Sequence, residues 1–165
     1  MAKKNQFLLD GLFGFDGRFR RSEYWIASIG VGIVRFVILL VASAALGMGV
    51  TEASMVLPLR IGLDLLFLWP SAAIAIKRGH DRNRSALFTG VLLAIIYVVA
   101  EVSTALTSAG QMVAGGVVAL LMFPVIIYMF IDYGLIDGTK GPNRYGPSPK
   151  GHQGAGAEVV AKTFD

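Results

Sequence analysis

The residues best equipped for chemistry in this chain lie in one short stretch, Lys77 to Ser85, KRGHDRNRS, which reads as a basic loop. It holds His80, one of two histidines, directly before Asp81. Imidazole exchanges protons near neutral pH, and an adjacent His-Asp pair serves as a metal-ligand element in some phosphohydrolases. Arg78, Arg82 and Arg84 add guanidinium forks that match phosphate oxygens. One reading is therefore a membrane enzyme acting on a phosphate-bearing substrate around His80. Against it, a metal needs about three or four protein ligands. The other histidine, His152, lies in a tail rich in Gly and Ala. There is no nucleophile elbow, P-loop, dinucleotide fingerprint or zincin helix, and the absence of cysteine excludes thiol catalysis and zinc ribbons. A histidine that bridges or caps the turn is the stronger reading, with no catalytic residue, metal or cofactor expected.

The elements that must hold this stretch are apolar. Of 165 residues, 55% are hydrophobic and 16% charged, where a soluble domain carries about 25% charged residues. Four apolar runs, residues 24–48, 55–76, 86–106 and 112–136, each reach the roughly 20 residues that cross a hydrocarbon core. Only helices satisfy their own backbone within such runs. The expected fold is all-α, a polytopic membrane protein with a four-transmembrane-helix bundle over residues 24–136. Residues 1–23 form a cytoplasmic or interfacial segment, and residues 137–165 a cytoplasmic tail, flexible after about residue 150. In the N-terminal segment, Leu8, Leu9, Leu12 and Phe13 fall near the spacing of one helical face. They suit either the headgroup boundary or a tail packed on the bundle. Ala42-Ser43-Ala44 resembles a leader cleavage site, but the apolar run before it is too long and Arg35 interrupts it, so the first span is retained. Pro70 and Pro124 free the carbonyls of Leu66 and Leu120 and permit kinks in the second and fourth spans.

Charge placement orients the chain. Lys3, Lys4, Arg18, Arg20 and Arg21 precede the first span. Lys77, Arg78, Arg82 and Arg84 lie between the second and third, and Lys140, Arg144, Lys150 and Lys162 follow the fourth. The other two connections carry no Lys or Arg. By the positive-inside rule, both termini and the central connection are cytoplasmic. Asn83-Arg84-Ser85 is then a chance sequon on the wrong side for glycosylation. The same rule accounts for the basic residues, and nucleic acid is not expected as a partner.

Five charges sit in or at the edge of the spans: Arg35, Arg60, Asp64, Glu101 and Asp132. At 1.5 Å per residue, Arg35 lies roughly 21 Å from Arg21, and Asp64 roughly 20 Å from Lys77, so the two share a depth. Arg60 sits one turn from Asp64, and Glu101 lies near the depth of Arg60. Intramembrane carboxylates mark ion pathways in transporters, so a small transporter or channel subunit is a second reading. An ion-pair network that fixes helix register is favoured over it, because each basic residue has an acidic neighbour at similar depth. A transporter would also show repeated halves, which this chain lacks.

Three polar motifs fall on one membrane face: GRFRRSEYW (Gly17 to Trp25), RGHDRNRS (Arg78 to Ser85) and DGTKGPNRYGPSP (Asp137 to Pro149). Together they resemble the bacterial membrane-protein family called Domain of Unknown Function 805, over about Phe13 to Pro149. The resemblance rests on Gly17, Arg18, Arg21, Glu23, Tyr24 and Trp25, then His80, Asp81, Arg84 and Ser85, then GPNRYG from Gly141 to Gly146 with Asn143 and Arg144. The chain departs from the pattern at Asn83, where the family often has glycine. The resemblance implies a helical protein of the bacterial inner membrane and no assigned activity. The favoured function is non-enzymatic. Arg18, Arg21, Glu23, Arg78, His80, Asp81, Arg84, Asn143 and Arg144 form a cytoplasmic face that locks the loops together and suits anionic lipid headgroups, a membrane-protein partner or a second copy of the chain.

Overall fold

The computed structural model describes residues 11–151. The expectations placed on residues 1–10, on His152 and on the rest of the tail lie outside the described residues. Four helical segments are long and apolar enough to cross a membrane, and no strand occurs among the described residues. Helix α1 is Arg21–Leu46, followed by a short helix α2, Val50–Met55. Helix α3 is Leu57–Asp81, and α4 is Ala86–Ser108. The fourth span comes in three pieces: α5 (Met112–Leu120), α6 (Phe123–Met129) and a π-helical segment, Phe130–Leu135. Each span leaves large Ile, Leu, Val and Phe side chains exposed on its outer surface, as lipid contact requires.

Two differences from the sequence reading bear on the site. First, KRGHD is not a loop. Helix α3 runs unbroken through Pro70 and continues to Asp81, because its last residues bury their side chains instead of solvating them. The turn proper is only Arg82 to Ser85. Asn83 adopts the left-handed conformation, φ +58°, and the amides of Asn83 and Arg84 take up the orphan carbonyls of His80 and Gly79 at 3.0 and 2.8 Å. Asn is among the side chains that best tolerate that backbone. Ser85 then caps α4, its Oγ accepting from the amide of Phe88 at 3.1 Å.

Second, the fourth span is not one helix. Pro124 sits in the first turn of α6, where its missing N–H costs nothing, so the chain breaks just before it at Leu121 and Met122. The π-helical segment then buries three consecutive residues, Asp132, Tyr133 and Gly134, which the extra residue per turn of a π-bulge permits.

The chain clusters into two compact units, residues 11–15 with 22–74, and residues 16–21 with 75–151. In the first, the intramembrane Arg35 and Asp64 lie 2.6 Å apart, and the indole of Trp69 donates to the carbonyl of Phe13 at 2.8 Å. In the second, α4 packs against α5, and Ser103 of α4 donates to the carbonyl of Gly115 at 2.9 Å. Gly115 is required there, since a Cβ would strike the Thr107 hydroxyl.

Candidate functional site

Residues 17–21 of the first motif meet the other two motifs in the second unit, and Asp81 is the residue they share. As the last residue of α3 it is buried, with Arg18 on one carboxylate oxygen and Arg78 on the other. Arg18 approaches with Nε at 3.1 Å and Nη2 at 2.9 Å from Oδ1, and Arg78 places Nη1 2.5 Å from Oδ2. The side chains of both arginines are at most 1% exposed. Two buried cations around one carboxylate leave one positive charge to be solvated by other means, and backbone carbonyls supply them. Arg18 also donates to the carbonyls of Thr139, Gly141 and Gly146, at 2.8 to 3.1 Å, and to the Thr139 hydroxyl.

Arg78 turns towards the end of the fourth span, donating to the carbonyls of Tyr133 and Ile136 at 2.6 and 2.5 Å. Arg21 takes the carbonyl of Leu135 at 2.7 Å, and Arg82 that of Asp137 at 2.6 Å. The last carbonyls of a helix have no partner of their own and carry partial negative charge. Here three arginines fill that role, Arg21 from the first motif and Arg78 and Arg82 from the second. Arg82 also pairs with Asp132 at 2.8 Å, and Arg84 lies 3.7 Å from the same carboxylate.

His80 and Asn143 join the third motif to the first two. His80 Nδ1 is 3.2 Å from the carbonyl of Gly17, and its ring stacks on Tyr145 with centroids 3.8 Å apart and planes 7° from parallel. The carbonyl of His80 accepts from Asn143, whose side-chain oxygen in turn caps the amide of Tyr145, both at 2.9 Å. Arg144 reaches the carbonyl of Asn83 at 3.1 Å, and its guanidinium lies 4.7 Å from the centre of the Tyr145 ring. Thr139 pairs its amide with the carbonyl of Asp81 at 2.8 Å. Gly138 beside it must be glycine, because a Cβ would overlap the Asp81 carboxylate.

A family model described as "Protein of unknown function (DUF805)" matches residues 12–147. The chain belongs to that family. The match begins just before Arg18 and ends just past Tyr145, so it spans every segment of the clasp. Among curated relatives, "Uncharacterized protein YiiR" of Escherichia coli strain K12 is 30% identical over 135 residues, covering 82% of this chain and 85% of its own. "Inner membrane protein YhaI" of the same strain is 30% identical over 143 residues, covering 87% and 92%. No solved structure matches. With its four apolar helices, the chain is an integral membrane protein.

Of the residues singled out from sequence, Arg18, Arg78, His80, Asp81, Asn143 and Arg144 converge on this clasp, with Arg21, Arg84 and Asp132 at its edge. Glu23 lies in the first turn of α1, Arg60 in α3 and Glu101 in α4. The sequence reading offered Arg18 and Arg78 as phosphate ligands, but burial and carbonyl acceptors already occupy their donors. Gly138, Thr139 and Tyr145 lay inside the third motif, but the sequence reading gave them no role of their own.

Around the buried ions runs an exposed rim of Arg20, Arg21, Arg84, Lys140, Arg144 and Lys150, against the exposed Asp16 and Asp137. Lys150 lies 3.0 Å from Asp137, and this contact, helped by Arg21, holds the Asp137 carboxyl below the usual carboxylate range.

Proposed function

We propose that the protein is a non-enzymatic inner-membrane protein whose clasp faces the cytoplasm and presents a basic rim to anionic lipid headgroups. The observation that carries this reading is the exposure of the basic side chains. Arg18 and Arg78 are buried within the protein, while six basic side chains are exposed beside two exposed acids. A basic residue next to an anionic leaflet contributes roughly 1 kcal/mol each, so four net charges amount to a strong local preference. The relative YhaI, an inner membrane protein by name, and the Lys/Arg bias of the connections support the membrane and the side. His80 serves the clasp as a stacked plank, and Arg35 with Asp64 serves as a register pair within the membrane.

The test is lipid analysis after extraction of the full-length protein in native nanodiscs. Phosphatidylglycerol and cardiolipin should be enriched over the bulk membrane, and the enrichment should fall in Arg84→Gln/Arg144→Gln. Lipid composition equal to the bulk for both proteins would defeat the reading.

A further inference from the structure

A small groove beside the clasp is lined by Arg20, Asp81, Asp137, Lys140, Ser148 and Lys150. Its volume is about 110 Å³. That is well short of the ~300 Å³ at which pockets for drug-sized ligands begin. It has room for a single compact group, not for a nucleotide.

Its charge is basic. Arg20, Lys140 and Lys150 face one exposed carboxylate, Asp137, which Lys150 already contacts at 3.0 Å. The charge of Asp81, which also lines the groove, is paired with Arg18 and Arg78. Lys140 is exposed and makes no ion pair with another described residue. The Ser148 hydroxyl accepts the amide of Lys150 at 3.3 Å, which leaves its O–H to donate. Cationic donors from two separate chain segments around a hole of this size match a tetrahedral oxyanion.

We infer that this groove is a subsite for one phosphate group, taken either from the headgroup of an anionic lipid or from inorganic phosphate in solution. For the lipid source the inference rests on the headgroup reading above, and the two fail separately.

Full-length protein in phosphatidylcholine nanodiscs is titrated with inorganic phosphate by calorimetry. In a second arm, about one-fifth of the lipid is phosphatidate, and retained lipid is counted by native mass spectrometry. Saturable single-site binding is expected in at least one arm: the phosphate arm alone assigns a soluble source, the lipid arm a headgroup. Lys140→Gln and Arg20→Gln should each weaken it roughly fivefold. Asp137→Asn should strengthen it, a gain that misfolding cannot mimic. No saturable binding in either arm, or binding indifferent to all three substitutions, would overturn the subsite. If Arg84→Gln/Arg144→Gln, which do not line the groove, abolish lipid enrichment while phosphate binding survives, the subsite stands without the rim. The reverse pattern removes the subsite alone.

Discussion

Asp81 carries the largest consequence for a single atom pair. Its carboxylate neutralises one of two arginines that are fully out of solvent. Asp81→Asn keeps the shape and removes the charge, leaving two buried guanidinium groups with no counter-ion. Loss of one partner from a buried ion pair costs about 3–5 kcal/mol. Unfolding of Asp81→Asn in detergent or nanodiscs should therefore show a loss of that order, while Lys140→Gln should stay within about 0.5 kcal/mol of the parent. Asp137 differs in kind, being exposed. Its folded-state pKa lies below the ordinary 3.8, chiefly through the hydrogen bond from Lys150. The stability it contributes is complete above about pH 3.8 and fades as the pH falls through the lower, folded value. Parent and Asp137→Asn should thus differ at neutral pH and converge in strong acid, when stability is followed across an acid titration.

At the scale of elements, the clasp works by finishing helices. Helix α3 ends in a left-handed Asn83, α4 begins on the Ser85 hydroxyl, and the fourth span ends on carbonyls claimed by arginines. Between α3 and the fourth span, Gly79 gives close access to the Thr89 hydroxyl and to Tyr133, which bond to each other at 2.7 Å. Gly79→Ala would push a methyl group into Thr89, and overpacking of this kind costs about 1–3 kcal/mol. The same substitution in a Thr89→Ala background should cost less, a coupling that a double-mutant cycle measures directly.

These elements also mark what could be read from sequence. The four spans were legible because apolar length is a local property. Arg35 and Asp64 were reachable by counting rise per residue, since each lies in a regular helix. The end of α3 was misread because a run of Lys, Arg, His and Asp looks solvated, whereas here it is buried by segments far away in the chain. The acceptors of Arg18 and Arg78 were invisible for a simpler reason. They are mostly main-chain carbonyls, which every residue carries, and the contacts join positions up to 128 apart.

At the scale of the whole molecule, the account depends on which side of the membrane holds the clasp. A basic rim against an anionic leaflet makes sense on the cytoplasmic side, and the Lys/Arg bias of the connections points there. The chain has no cysteine, so single introduced thiols report cleanly. Thr51, Ser108 and Lys140 are exposed; Thr51 lies between the first two spans, Ser108 at the end of α4 and Lys140 after the fourth span. A membrane-impermeant maleimide applied to intact spheroplasts should label Thr51→Cys and Ser108→Cys at once, and Lys140→Cys only after the membrane is opened. Labelling of Lys140→Cys in the intact preparation, with Thr51→Cys and Ser108→Cys protected, would place the clasp outside and contradict the account.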